Sequence, residues 1–186
     1  MKGRSMETSH PTTKWDRSIH ALIYLSAATF IAILQLTGWM ELSIRTLHMW
    51  QTAIYVLIII LCSRRNLIGY GAGIGIAAFW NIANLFVTTF IKSGWTVLLH
   101  LIHTGSDPHS ELIVAPIAGA AHFVLIGACM AAYLRRPAKQ WSDVLILIGS
   151  ALAAVFSFFL MVHTRGPQYL HIFWTMLSWL GIHVKA

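Results

Sequence analysis

Five apolar runs, each about as long as a membrane crossing, fill most of this 186-residue chain and leave it few ways to fold. They extend from about Ile19 to Met40, Ile44 to Cys62, Leu67 to Ile91, Leu112 to Leu134 and Trp141 to Val162, with charges at their borders. A helix needs roughly 20 apolar residues to cross the hydrocarbon of a bilayer. In lipid, backbone N–H and C=O groups must pair within the protein, and unbroken runs of this length do so as helices. Hydrophobic residues make up 57% of the chain and charged residues 10%, against roughly 25% charged in soluble domains. The expected fold is an all-α bundle of five or six transmembrane helices behind a polar N-terminal tail, residues 1–18. The first run is too long for the apolar part of a signal peptide, and LTGWMEL offers no small-x-small cleavage site.

The net charge of +7 does not point to nucleic acid, because the basic residues are scattered in short clusters between the apolar runs. With the N-terminus in the cytoplasm, the inner segments hold Lys2, Arg4, Lys14, Arg17, Arg64, Arg65, Arg135, Arg136 and Lys139. The outer loops then hold Arg45, Lys92 and Arg165. Nine against three predicts that orientation, in a cell inner (plasma) membrane. Trp15 and Trp141 mark one interface, and Trp39, Trp50 and Trp95 the other. Cys62 and Cys129 have neither metal-ligand spacing nor an oxidising location, and are expected as small packing residues.

Two segments are ambiguous. GWTVLLHLIHTG, Gly94 to Gly105, is too short to span. Its Thr96, His100 and His103 fall at i, i+4, i+7, as expected of a helix lying in the outer interface. In the C-terminal QYLHIFWTMLSWLGIHVK, the residues Gln168, His171, Thr175 and Ser178 also draw one stripe. A short sixth span over 168–184, placing Lys185 inside, is preferred to a helix lying flat.

GYGAGIGIAAFWNIAN, Gly69 to Asn84, carries two small-xxx-small pairs, Gly69/Gly73 and Gly71/Gly75, on different helix faces. Such positions let helices approach closely in lipid. A dinucleotide loop is excluded, because no strand signal precedes the glycines and no acidic residue follows at the required distance.

Polar residues inside the runs gather at the outer half: Gln35, His48, Gln51, Asn81, Asn84, His122 and His163. An asparagine or histidine in hydrocarbon is costly unless partnered, so these seven are candidates for a shared cofactor site. Imidazole suits haem iron or a chlorophyll-type pigment, and a quinone is a further possibility for the site. In the outer loop HLIHTGSDPHSE, His100, His103, Asp107, His109 and Glu111 combine imidazole with carboxylate, which suits a divalent metal. The competing reading is mutual hydrogen bonding and contact with interfacial water.

No nucleophile elbow, H-E-x-x-H, P-loop or paired membrane aspartates are present, and no internal repeat suggests a transporter. The expected function is therefore a non-catalytic subunit of a larger membrane complex in energy conversion or electron transfer. Its partners are the lipid bilayer and other membrane subunits. The alternative is a stand-alone haem- or metal-binding membrane protein in redox chemistry or metal handling, with a small transporter third.

Overall fold

The computed structural model describes residues 14–136, 139–179 and 181–182, which fold as helices joined by short turns. Five segments are long and apolar enough to cross a membrane: Lys14–Met40, Leu42–Ser63, Leu67–Val87, Ser110–Leu134 and Trp141–Arg165. The principal helices are α1 (Lys14–Met40), α2 (Arg45–Ser63), α3 (Leu67–Ile82), α4 (Phe90–Thr104), α5 (Val114–Leu134), α6 (Trp141–Arg165) and α7 (Leu170–Trp179). We call the end where α1 begins the near end and the opposite one the far end. Turns at the near end join α2 to α3 and α5 to α6.

Local chemistry sets these boundaries. Asn66 caps α3, its side chain accepting from Ile68 N at 2.9 Å. A reciprocal capping box of Gln140 and Asp143 opens α6, satisfying backbone donors that a helix start leaves free. Gly105 ends α4 in the left-handed region, φ 77°, where its N–H reaches Leu101 O at 2.8 Å.

The glycines of α3 make it the centre of the bundle, packed along α2, α5 and α6. A Cβ on Gly75 would lie 2.6 Å from the Cα and Cβ of Ala151, and one on Gly71 would lie 2.8 Å from Leu147 Cα. This face therefore meets α6 backbone to backbone. On the other face, a Cβ on Gly69 would lie 2.9 Å from Cys62 N, and one on Gly73 would lie 3.1 Å from Cys129 Sγ. One small-residue pair thus serves α6, and the other serves α2 and α5. Cys62 and Cys129 are free and buried in the same packing layer.

α1 closes the other side against α2 and α5, burying Ile23, Ala27, Phe30 and Leu34. Arg135 meets Asp16 at 3.3 Å and Arg136 donates to Arg65 O at 3.4 Å, tying the near-end turns together. Trp15 and Trp141 stand exposed at the near end, and Trp39, Trp50 and Trp95 at the far end, as aromatic belts do.

Three expectations change. The third crossing does not continue to Ile91. The α-helical pattern loosens at Ala83–Val87 into a π turn, and Thr89 then takes a left-handed φ of 59°. α4 accordingly starts at Phe90, four residues before the expected Gly94, and Gly94 seats it against Leu112 O and Pro116. Thr96, His100 and His103 lie on its exposed side. The C-terminal segment does not make a sixth span among the described residues. α7 has 10 residues and rises about 15 Å, half of a hydrocarbon core. It packs back on the far ends of α3 and α6, through Phe173 against Phe79, Phe158 and Phe159. Lys185 lies outside the described residues, as do Lys2, Arg4 and the start of the polar tail.

Candidate functional site

One stripe of α2 builds the first wall of the site. His48, Gln51, Tyr55, Ile58 and Cys62 follow at steps of three and four, so all five face inward from α2. Gln51 is 6% exposed, and its amide has no hydrogen-bond partner among the described residues. The His48 ring is held from one edge. Its Nδ1 lies 3.1 Å from Leu34 O and 3.0 Å from Thr37 Oγ1, both on α1. A carbonyl can only accept, so these contacts assign the proton to Nδ1 and leave the Nε2 lone pair free. Thr37 is consistent with this, because its hydroxyl hydrogen is already donated to Ile33 O at 2.8 Å.

The π turn of α3 builds the second wall. Thr88 N bonds Ala83 O at 2.9 Å across the widened turn, and the Asn84 side chain donates to Trp80 O at 2.9 Å. Thr88 Oγ1 donates in turn to Asn84 Oδ1 at 3.0 Å. Short polar side chains that bond the local backbone compete with regular helix, and single π turns are frequent at functional sites. Asn84 ends the helix and sits on the wall at once.

Between these walls, α6 and α7 border a half-open cavity of about 370 Å³. His48, Gln51, Asn84, Thr88, Tyr169 and His171 supply its polar groups, and Phe79, Trp80, Phe90, Phe158 and Phe173 its aromatic surface. His171 repeats the arrangement of His48, with Nδ1 at 2.9 Å from Gln168 O. This is a small apolar pocket with a few converging polar groups, the usual form of a ligand site.

The seven cofactor candidates divide. The cavity takes His48, Gln51 and Asn84. His122 lies behind it, fully buried, with Nε2 at 2.5 Å from Tyr55 Oη and its ring among Phe30, Tyr55 and Trp80. Asn81 is buried nearby and donates to Gly119 O at 3.4 Å. His122 Nδ1 and Asn81 Oδ1 are buried without a partner among the described residues. Trp80 is the common wall, lining the cavity and lying 4.7 Å from the His122 ring. Gln35 instead donates to Thr52 Oγ1 at 2.8 Å between α1 and α2. His163 stacks on Phe159 at the exposed surface of α6, away from the cavity.

The loop metal set is not assembled. Among the described residues no three His, Cys, Asp or Glu come together as a metal-holding group. The reason is local: His103 Nδ1 is turned back on Leu99 O at 2.7 Å, and Asp107 caps His109 N at 2.7 Å. His109 pairs only with Glu111, at 3.6 Å, while His100 points from the exposed side of α4.

Tyr55, Trp80, Tyr169 and His171 were not singled out as site residues by the sequence. Tyr55 had a signal, standing four residues beyond Gln51 on the same stripe. The aromatics had none, since an apolar run conceals which of its rings face inward.

Comparison with protein-family models, curated proteins and solved structures finds no match. The class that the fold defines is a helical bundle with, among the described residues, five helices long and apolar enough to cross a membrane.

Proposed function

We propose that this protein holds the ring of a membrane-soluble cofactor of the quinone class in its far-half cavity. It does so as a non-catalytic subunit of a larger membrane complex in energy conversion. The observation that carries this is Gln51: a residue 6% exposed, its amide without a hydrogen-bond partner among the described residues, on the lining of a cavity with aromatic walls. A polar group unpaired in an apolar pocket is unfavourable, and a ligand carrying oxygens on a flat ring supplies its partner. The aromatic walls accept such a ring face-on or edge-on.

A second reading is favoured by one specific feature. Both His48 and His171 engage Nδ1 with a backbone carbonyl and keep Nε2 free, as metal-ligating histidines do. It would make the protein a stand-alone haem or metal binder. The test is to purify the full chain in mild detergent, record its absorption spectrum, analyse its metals and extract its lipids. An extractable quinone with co-migrating subunits supports the first reading. A Soret band or stoichiometric metal in a lone protein supports the second, and a colourless, metal-free, quinone-free protein sinks both.

A further inference from the structure

Resting on the quinone reading, we infer that the cavity selects the reduced hydroquinone form over the oxidised quinone. The two forms share a ring and differ in what their oxygens do: hydroquinone hydroxyls donate and accept, whereas quinone carbonyls only accept. The His48 ring decides between them. Its Nδ1 edge is turned to α1, where Leu34 O and Thr37 Oγ1 hold it. Nε2 lies on the opposite edge of the ring, and His48 is one of the residues lining the cavity. In the neutral ring that nitrogen is an acceptor alone. A hydroxyl placed against it donates a hydrogen bond, and a carbonyl placed there brings two lone pairs together.

The rest of the wall does not reverse this preference. His171, at the exposed rim, also has Nδ1 committed to a carbonyl and so offers a second accepting nitrogen. Asn84 has its Oδ1 bonded by Thr88 and one amide hydrogen donated to Trp80 O, and its second hydrogen, like the Tyr169 hydroxyl, can donate to the oxygen of either form. Gln51 serves either form, since its amide can donate or accept. The cavity thus binds both ring forms through Gln51 and separates them through His48. No electron transfer is assigned to the chain by this step.

The test uses tetramethylhydroquinone, tetramethylquinone and the dimethyl ether of the hydroquinone. Their binding to the detergent-purified full chain is measured by equilibrium dialysis, anaerobically for the hydroquinone. Hydroquinone should bind about fivefold tighter than quinone, the ratio expected for one net hydrogen bond. The ether, which keeps the shape and loses the donors, should show no such advantage. His48→Phe, which removes the accepting nitrogen, should abolish the ratio. The ligand series stands without the variant, so a misfolded His48→Phe protein does not spare the inference. Equal or tighter quinone binding, an ether as tight as the hydroquinone, or a ratio surviving in a folded His48→Phe protein overturns the selection and leaves the cavity reading standing. Failure of all three compounds to bind overturns the cavity reading as well.

Discussion

His122 shows what a polar side chain inside an apolar bundle must do. It is fully buried, and it meets its one partner, Tyr55, across helices. Interhelical hydrogen bonds of this kind contribute about 1 kcal/mol in membrane bundles. Tyr55→Phe should therefore destabilise the purified protein by about 1 kcal/mol, leaving His122 Nε2 without its partner. The double change Tyr55→Phe with His122→Leu removes every group involved, so it should be more stable than the sum of the two single effects. Denaturation in detergent measures this, and strict additivity would contradict the coupling. Gln51 predicts the opposite behaviour, since it has nothing to lose. Gln51→Leu should leave the ligand-free protein equally stable or up to about 1 kcal/mol more stable, while lowering recovery of any bound quinone. A clear loss of stability in denaturation would mean that the amide has a protein partner. At this scale the sequence was informative about depth and silent about direction. Depth follows from position along a run, so His48, Gln51 and Asn84 were legible as far-half polar residues. Rotation about the helix axis is set by the neighbours, which is why Gln35 and His163 were grouped with them and lie elsewhere.

Among the elements, α3 combines two roles that usually exclude one another. Its first half is glycine-rich and must be regular to bring backbones together; its second half abandons regularity at the π turn. The positions of the glycine run differ in tolerance. Gly71 and Gly75 face α6 backbone and Gly69 the backbone of Leu61 and Cys62, which cannot move aside, whereas Gly73 faces the ends of Cys129 and Ile58. Gly75→Ala should then cost about 1–3 kcal/mol by overpacking, while Gly149→Ala, with nothing within 4 Å of a new Cβ, should be neutral or mildly favourable. Thermal melting of both variants in the same detergent decides it; similar losses would remove the argument for close packing. The glycine spacing made this packing legible in advance, because only small residues permit such approach. The break at Ala83 was not legible. An apolar run continues through it, and the cause is a pair of side-chain hydrogen bonds from Asn84 and Thr88. The polar stripe of the C-terminal segment fits a span, but among the described residues α7 is a helix of 10 residues.

For the whole molecule, charge and aromatic residues agree on two ends of different character. Lys14, Arg17, Arg64, Arg65, Arg135, Arg136 and Lys139 lie at the near end, against Arg45, Lys92 and Arg165 at the far end. A reporter fused after Arg136 should be cytoplasmic and one fused at Asp107 exported; reversed activities at both would invert the orientation. The cavity lies in the far half, and two of its wall residues, Phe158 and Val162, come from α6. Of the central stretch of α6, 11% is buried inside the bundle, against 50% for α3. For the membrane-soluble ring proposed above, the concentration that governs occupancy is its mole fraction in lipid. Each CH₂ on a ligand's tail strengthens partition by about 0.8 kcal/mol without touching the protein. Two homologues with the same ring and different tails would then appear to differ in affinity when referred to water. Referred to lipid, they should bind alike.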